Sequence, residues 1–263
     1  MRFKRFFIDP LEYKETSILP RPAYWLNAFL LVLGVGALGA FMFQNSLYTF
    51  EWSGVWGYRQ KFIDGFIMTI IISLNALVLS IFLGIFFAYG QGSKIILLRF
   101  FSRFYVELIR GTPLLVQILI FFYVFANNLG FDNRYIVGTV ILALFAGAYV
   151  TEIIRAGLQS VGVEQYESAK SLGFSPFQTY RYILFPQALK RILPPLTGQF
   201  ASIIKDSSLL SIISISEFTM NAQEVNAYTY STLESYIPLA IGYLALTYPI
   251  SLFASRLEKR LKD

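Results

Sequence analysis

Glu167-Ser168-Ala169-Lys170-Ser171-Leu172-Gly173, followed by Ile183-Leu184-Phe185-Pro186, lies in a polar stretch, 158–191, of an otherwise apolar chain. Residues 163–173 can form a short helix that stops at Gly173, since glycine tolerates the left-handed conformation at a helix C-terminus. Ser175-Pro176 then reads as an N-cap and a first helical position. Gln178, three residues after Ser175, completes a capping-box pattern. A second helix is expected from Pro176 to about Leu184, ending near Pro186, which has no N–H for the helical ladder. The sequence thus encodes helix, sharp turn, helix. Phe174, Phe177 and Tyr180 place aromatics on or just before the second helix, suited to a partner's pocket. An amphipathic loop on the lipid surface, with Lys170, Arg181, Lys190 and Arg191 on its polar side, is the alternative.

The surroundings of this stretch belong to a membrane. Of 263 residues, 56% are hydrophobic, 17% aromatic and only 14% charged, and the mean hydropathy is +0.56. That is too apolar for an ordinary soluble domain. Cysteine and histidine are both absent. There is therefore no disulfide framework, thiolate nucleophile or Cys/His metal site, and the commonest general base is missing. The net charge of +6 needs no nucleic acid, because membrane proteins collect Lys and Arg in cytoplasmic loops.

A span needs roughly 20 mostly apolar residues. Six helices are expected, at 24–44, 63–90, 108–128, 135–157, 192–217 and 236–255. With the N-terminus inside, the segments 1–23, 91–111, 155–191 and 256–263 hold 18 of the 22 Lys and Arg residues, and the outer loops hold three. This asymmetry predicts a multi-pass protein with both termini cytoplasmic. Phe41-Met42-Phe43-Gln44 is too bulky for a signal-peptide cleavage site, so the first run reads as a helix that stays. Its Gly34, Gly36, Gly39 and Ala40 would permit close helix approach. Neither an internal repeat nor a broken-helix pattern is evident, and one membrane domain suffices. Its parts are a basic leader 1–23, a first helix and outer loop 24–61, a core 62–255 containing the loop 158–191, and a tail 256–263.

The polar stretch resembles the cytoplasmic "EAA" loop of ATP-binding-cassette (ABC) import permeases. Ser168 stands where the first Ala is usual, and Phe185 rather than Leu precedes the proline. Glu107-Leu108-Ile109-Arg110-Gly111-Thr112-Pro113-Leu114-Leu115-Val116-Gln117 resembles the "RGTPLLVQ" stretch of the polar amino acid permeases. The segment 147–157 is similar to their "AYxAEIIRGG" helix end. Gln187-Ala188, Leu193-Pro194 and Lys205-Asp206-Ser207-Ser208-Leu209 resemble "PQA…LP…KDTSL", and Gly65 to Ser73 their opening "GxxxTLxxS" helix. Together these cover 65 to about 250, in order.

The resemblance implies an all-α integral membrane protein with a five-helix importer core, an extra first helix and a cytoplasmic coupling helix. It implies a bacterial inner-membrane permease that moves polar amino acids by alternating access. ATPase coupling would fall to Glu167, Ser168, Ala169, Gly173, Phe174 and Pro186. The implied partners are nucleotide-binding ATPase subunits, a second permease protomer (identical or related), an external solute-binding protein and membrane lipid. No Gly-x-x-x-x-Gly-Lys-[Ser/Thr] sequence occurs, so ATP hydrolysis must lie on another chain. No cofactor or catalytic residue is expected.

Ionisable residues at membrane depth are costly unless they face a cavity or partner, which makes them functional candidates. Glu152 and Arg155 are three apart on one helix face and can pair, and Glu107 and Arg110 repeat that spacing. Lys205 and Asp206 point about 100° apart on a helix and need separate partners. For a zwitterionic amino acid, Glu152 or Asp206 would accept from the ammonium, and Lys205, Arg155 or Thr151 would donate to the carboxylate. Structural ion pairs, or snorkelling of Arg110 and Arg155 to the interface, explain the same charges without substrate. Gln117, Asn75 and Ser73 suit substrate contact or helix–helix hydrogen bonding. Thr112-Pro113 marks a kink and a candidate gate. The competing functions are a gradient-driven transporter or channel, which would use the membrane charges directly, and a membrane enzyme, for which no carboxylate pair stands out.

Overall fold

A computed structural model of the chain describes residues 21–44 and 48–262. Residues 1–20 of the expected leader, 45–47 of the expected first outer loop and Asp263 of the expected tail lie outside the described residues. The chain divides into two compact units, the second starting at Glu51. In the first unit, α1 (Arg21–Gln44) is apolar apart from Arg21, Asn27 and Gln44.

The second unit is a bundle of helices that opens with the short α2 (Trp52–Gly57). Three helices among the described residues are long and apolar enough to cross a membrane: α3 (Arg59–Gln91), α6 (Arg134–Gln159) and α11 (Thr232–Lys262). They match the expected runs 63–90, 135–157 and 236–255. The expected spans 24–44 and 192–217 do not meet that measure alone. The apolar part of α1, Trp25–Phe41, is shorter. The helix covering 192 onward, α9 (Phe185–Asp206), carries Lys190, Arg191, Lys205, Asp206 and the internal prolines 194 and 195.

Close packing between α3 and α6 makes the centre. Gly84 lies against Val150, and a Cβ there would collide with its side chain. Ile72, Ala76, Ser80 and Gly84 recur every four residues, close to one helical turn, and all face inward. Ile72, Ala76, Leu142, Ala143, Ala146, Ile118, Ile203 and Leu210 form one continuous buried cluster. Between membrane helices such a cluster is held by van der Waals packing rather than by escape from water.

The region expected as one span at 108–128 is instead a sharply bent pair. The first limb is α4 (Ile96–Arg110), and the second is α5 (Leu114–Ile120) continued by a π-helical turn, Phe121–Ala126. The chain direction bends by 109° between the limbs. Pro113 causes the break: with φ −64° and ψ 138° it leaves the helix and starts the next one as an N-cap. Gln117 then staples the corner. Its buried side-chain amide donates to the Ile109 carbonyl (2.7 Å), the Thr112 carbonyl (3.1 Å) and the Thr112 hydroxyl (2.8 Å). These bonds satisfy carbonyls that a helix end would otherwise leave open.

A second break follows α9. A 3₁₀ helix, Ser207–Ile213, ends at Ser214 in the left-handed conformation (φ 56°). The chain then enters α10 (Phe218–Thr229), which also ends on a left-handed residue, Tyr230 (φ 54°). The absence of broken helices expected from the sequence is therefore corrected at two places. The first falls at the kink expected from Thr112-Pro113, and is sharper than a kink. The second has no mark in hydropathy, because a backbone break inside apolar sequence leaves hydropathy unchanged.

Candidate functional site

The loop between α6 and α9 folds as the capping residues dictate. Its first helix, α7 (Val163–Ser171), ends in a Schellman motif: Phe174 N–H donates to the Ala169 carbonyl (3.1 Å) and Gly173 N–H to Lys170 (3.0 Å). Gly173 has φ +80°, which only glycine adopts without strain. The short helix α8 (Pro176–Thr179) begins with the expected capping box. Ser175 Oγ accepts from Gln178 N–H (3.3 Å), and Gln178 Oε1 accepts from Ser175 N–H (2.9 Å). Instead of stopping before Pro186, the helix runs on through a π-helical turn, Tyr180–Leu184, into α9. Pro186 has no N–H for the carbonyl four residues back, and Phe185 N–H bonds to Tyr180, five residues back.

Ala169 and Thr179 are buried where the two loop helices touch. The surface between them is apolar and open: Leu172 is 76% exposed and Phe177 74%. Phe174 is partly exposed, and Glu167, Ser168, Gly173 and Pro186 all lie at the surface. Glu167, Ser168, Ala169, Gly173 and Phe174 thus share one knuckle with an uncovered apolar tip, and Pro186 lies beyond it at the start of α9.

The membrane charges fall into two groups. At the loop end of the bundle, the Glu152 carboxylate accepts from Arg155 Nε (2.9 Å) and Nη2 (2.7 Å). Arg110 of α4 approaches the same carboxylate at 3.3 Å. Arg110 does not pair with its helix neighbour Glu107; its guanidinium lies over the Tyr149 ring instead, 5.5 Å from the centroid. A cavity of about 600 Å³, lined by Gln91, Arg103, Glu107, Arg110, Glu152 and Arg155, opens on one side of this cluster. A second, of about 430 Å³, bounded by Arg110, Tyr149, Glu152 and Gln199, opens on the other. The ion cluster therefore forms a wall between two openings.

Lys205 and Asp206 form the other group, at the end of α9. Their side chains make no hydrogen bond or ion pair among the described residues, Lys205 being exposed and Asp206 half-buried. Gly157 of α6 lies against Ile192 of α9, which sets a common level. From there Asp206 is about 21 Å along α9, and Glu152 only about 8 Å along α6. The two groups sit at different depths and do not form one site.

Two candidates turn inward. Thr151 is fully buried, its hydroxyl donating to the Gly147 carbonyl (2.7 Å). Gln117 spends its amide N–H groups on the α4–α5 corner.

Sequence reading missed the far end of the bundle. Glu217 is completely buried and N-caps α10, accepting from Met220 N–H (2.7 Å) and Thr219 N–H (2.9 Å). Thr69 of α3 accepts from Phe218 N–H (3.1 Å), and Asn221 donates to the Lys61 carbonyl (2.7 Å). Lys61 also pairs with Glu224. An acidic residue directly before Phe-Thr-Met was the available signal, as helix N-termini favour negative charge.

Residues 80–263 match the family described as "Binding-protein-dependent transport system inner membrane component". The chain belongs to this family. The permease is 37% identical over 202 residues to a probable glutamine ABC transporter permease protein of Bacillus subtilis, covering 76% of this chain and 93% of the relative. It is 33% identical over 217 residues to the glutamine transport system permease protein of Escherichia coli K12, covering 81% and 98%. A solved structure described as an amino acid ABC transporter with histidines superposes with TM-score 0.75 at 36% identity, over 81% of this chain and all of that one. The MetNI methionine ABC transporter, in inward-facing form, matches at TM-score 0.59 and 16% identity over 79% and 97%, which is likeness of fold.

Proposed function

We propose that this permease subunit carries polar amino acids, glutamine or a chemical neighbour, into a bacterial cell across the inner membrane. It works with an ATPase dimer, a second permease protomer and an external solute-binding protein. Both termini and the knuckle 163–184 face the cytoplasm. The knuckle docks in a cleft of the ATPase, and closure of the ATPase dimer drives alternating access in the spans. Differential contacts at the knuckle give ATP its means of biasing a two-state membrane domain.

The observation that carries this reading is the exposed tip of Leu172 and Phe177, held rigid by a Schellman motif and a capping box. Covering two such side chains stabilises an interface by about 1.5–3 kcal/mol each. In this scheme Arg110, Glu152 and Arg155 act as an inner gate, since they divide two cavities. Lys205 and Asp206 meet substrate deeper in the bundle, where unpaired charges would suit the carboxylate and ammonium of an amino acid.

The test is uptake into proteoliposomes holding the permease with its co-purifying ATPase and binding protein, across a panel of labelled amino acids. ATP-dependent uptake that fails with Gly173→Asp supports the reading and names the substrate. Uptake indifferent to ATP and to the loop would refute it in favour of a gradient-driven transporter. Cysteines introduced singly at exposed loop positions such as Ser171 and Tyr230, then labelled from either side, test the orientation separately.

A further inference from the structure

Between α9 and α11, near the loop end, an open cavity of about 730 Å³ has two kinds of wall. Pro194, Pro195, Ala254 and Leu261 make one side apolar, while Lys190, Arg191 and Gln187 make the other cationic and hydrogen-bonding. Neither Lys190 nor Arg191 makes a salt bridge or side-chain hydrogen bond among the described residues. Glu258, also on the rim, is engaged in an interaction of its own. The two cations come just before the run expected to span at 192, and Glu258 comes just after the run ending at 255. Two separate chain segments therefore put the cationic wall at the edge of the apolar layer.

A ligand that fits must be amphipathic. A free anion would satisfy the cations and leave the proline wall wet. An apolar chain alone would leave two charges without a partner. We propose that this cavity binds an anionic phospholipid, with its phosphate on Lys190 and Arg191 and the start of an acyl chain along Pro194, Pro195 and Ala254. The proposal rests on the membrane placement given above, with this end at the cytoplasmic boundary. Basic pockets between helices at that boundary suit anionic headgroups.

The experiment is native mass spectrometry of the assembled transporter titrated with phosphatidylglycerol or phosphatidylcholine. Phosphatidylglycerol should bind preferentially. Lys190→Gln with Arg191→Gln should weaken it about 30-fold, at about fivefold per cation. Lys190→Arg should bind as the parent does. Ala254→Trp, which fills the apolar wall and leaves the charges in place, should also weaken binding. Unchanged phosphatidylglycerol affinity in the double glutamine variant would overturn the proposal. So would loss of the ATPase from that variant with lipid retained, which would assign the cations to the ATPase contact. Displacement of the lipid by inorganic phosphate together with indifference to Ala254→Trp would reduce the site to a phosphate site and overturn the lipid assignment. None of these readouts depends on transport, and side-specific labelling reports the orientation independently.

Discussion

The Tyr243 hydroxyl donates to the fully buried Glu217 carboxylate at 3.0 Å, tying the start of α10 to the middle of α11. The same carboxylate caps α10 through two backbone N–H groups. Removing it leaves these donors buried without an acceptor, and such orphans cost about 1–3 kcal/mol. Glu217→Ala should therefore lower thermal stability clearly in detergent or nanodiscs, and Tyr243→Phe by less. Equal melting of parent and Glu217→Ala would show that the carboxylate does not hold this end together.

Glu152 is the only acid in contact with Arg155 among the described ion pairs, and Arg110 shares it. Glu152→Gln leaves two guanidinium groups facing each other, so uptake should fall. Adding Arg110→Gln should restore part of it. The pair itself is half-exposed, and its stability contribution should stay below about 1 kcal/mol. A double variant worse than Glu152→Gln alone would contradict the arrangement.

At Gly173 a Cβ would meet nothing within 4 Å, so only backbone conformation restricts the position. Gly173→Ala should destabilise by about 1 kcal/mol, and Gly173→Asn by less, because Asn tolerates the left-handed region. Uptake should fall further with Gly173→Ala than with Gly173→Asn.

Leu172 and Phe177 are exposed, so Leu172→Asp and Phe177→Asp should change stability by no more than about 0.5 kcal/mol. Both should nevertheless weaken recovery of the ATPase with the permease in a pull-down. Full recovery with both changes combined would remove the knuckle from the ATPase contact.

A methyl group at position 84 would collide with Val150. Gly84→Ala should cost about 1–3 kcal/mol through overpacking. Val150→Ala in the same chain should recover part of the loss, as read by thermal melting.

Much of this was legible in sequence because it is local. The capping box at Ser175 and Gln178 and the left-handed Gly173 depend on neighbours within five residues. The runs behind α3, α6 and α11 are long and free of charge over most of their length. The Glu152–Arg155 pair followed from helical spacing. Arg110 did not, because its choice of Glu152 over Glu107 depends on how α4 crosses α6. Glu217 was hidden for a similar reason: its partner Tyr243 is on another helix, and Glu is not among the preferred N-caps. For Gln117 the sequence left substrate contact and helix–helix hydrogen bonding open; the corner made by Pro113 claims its amide N–H groups.

The π-helical turn at Tyr180–Leu184 has a mechanical consequence. It keeps the backbone helical from Pro176 through Asp206, so the knuckle and the deep charges are the two ends of one rod. At 1.5 Å per residue that rod is about 45 Å long, bends at Pro194 and Pro195 aside. A tilt of roughly 5° imposed at Phe177 would swing the far end by about 4 Å, more than a hydrogen bond's length. A small displacement at the surface is thereby geared up to the scale on which ligands are held or released.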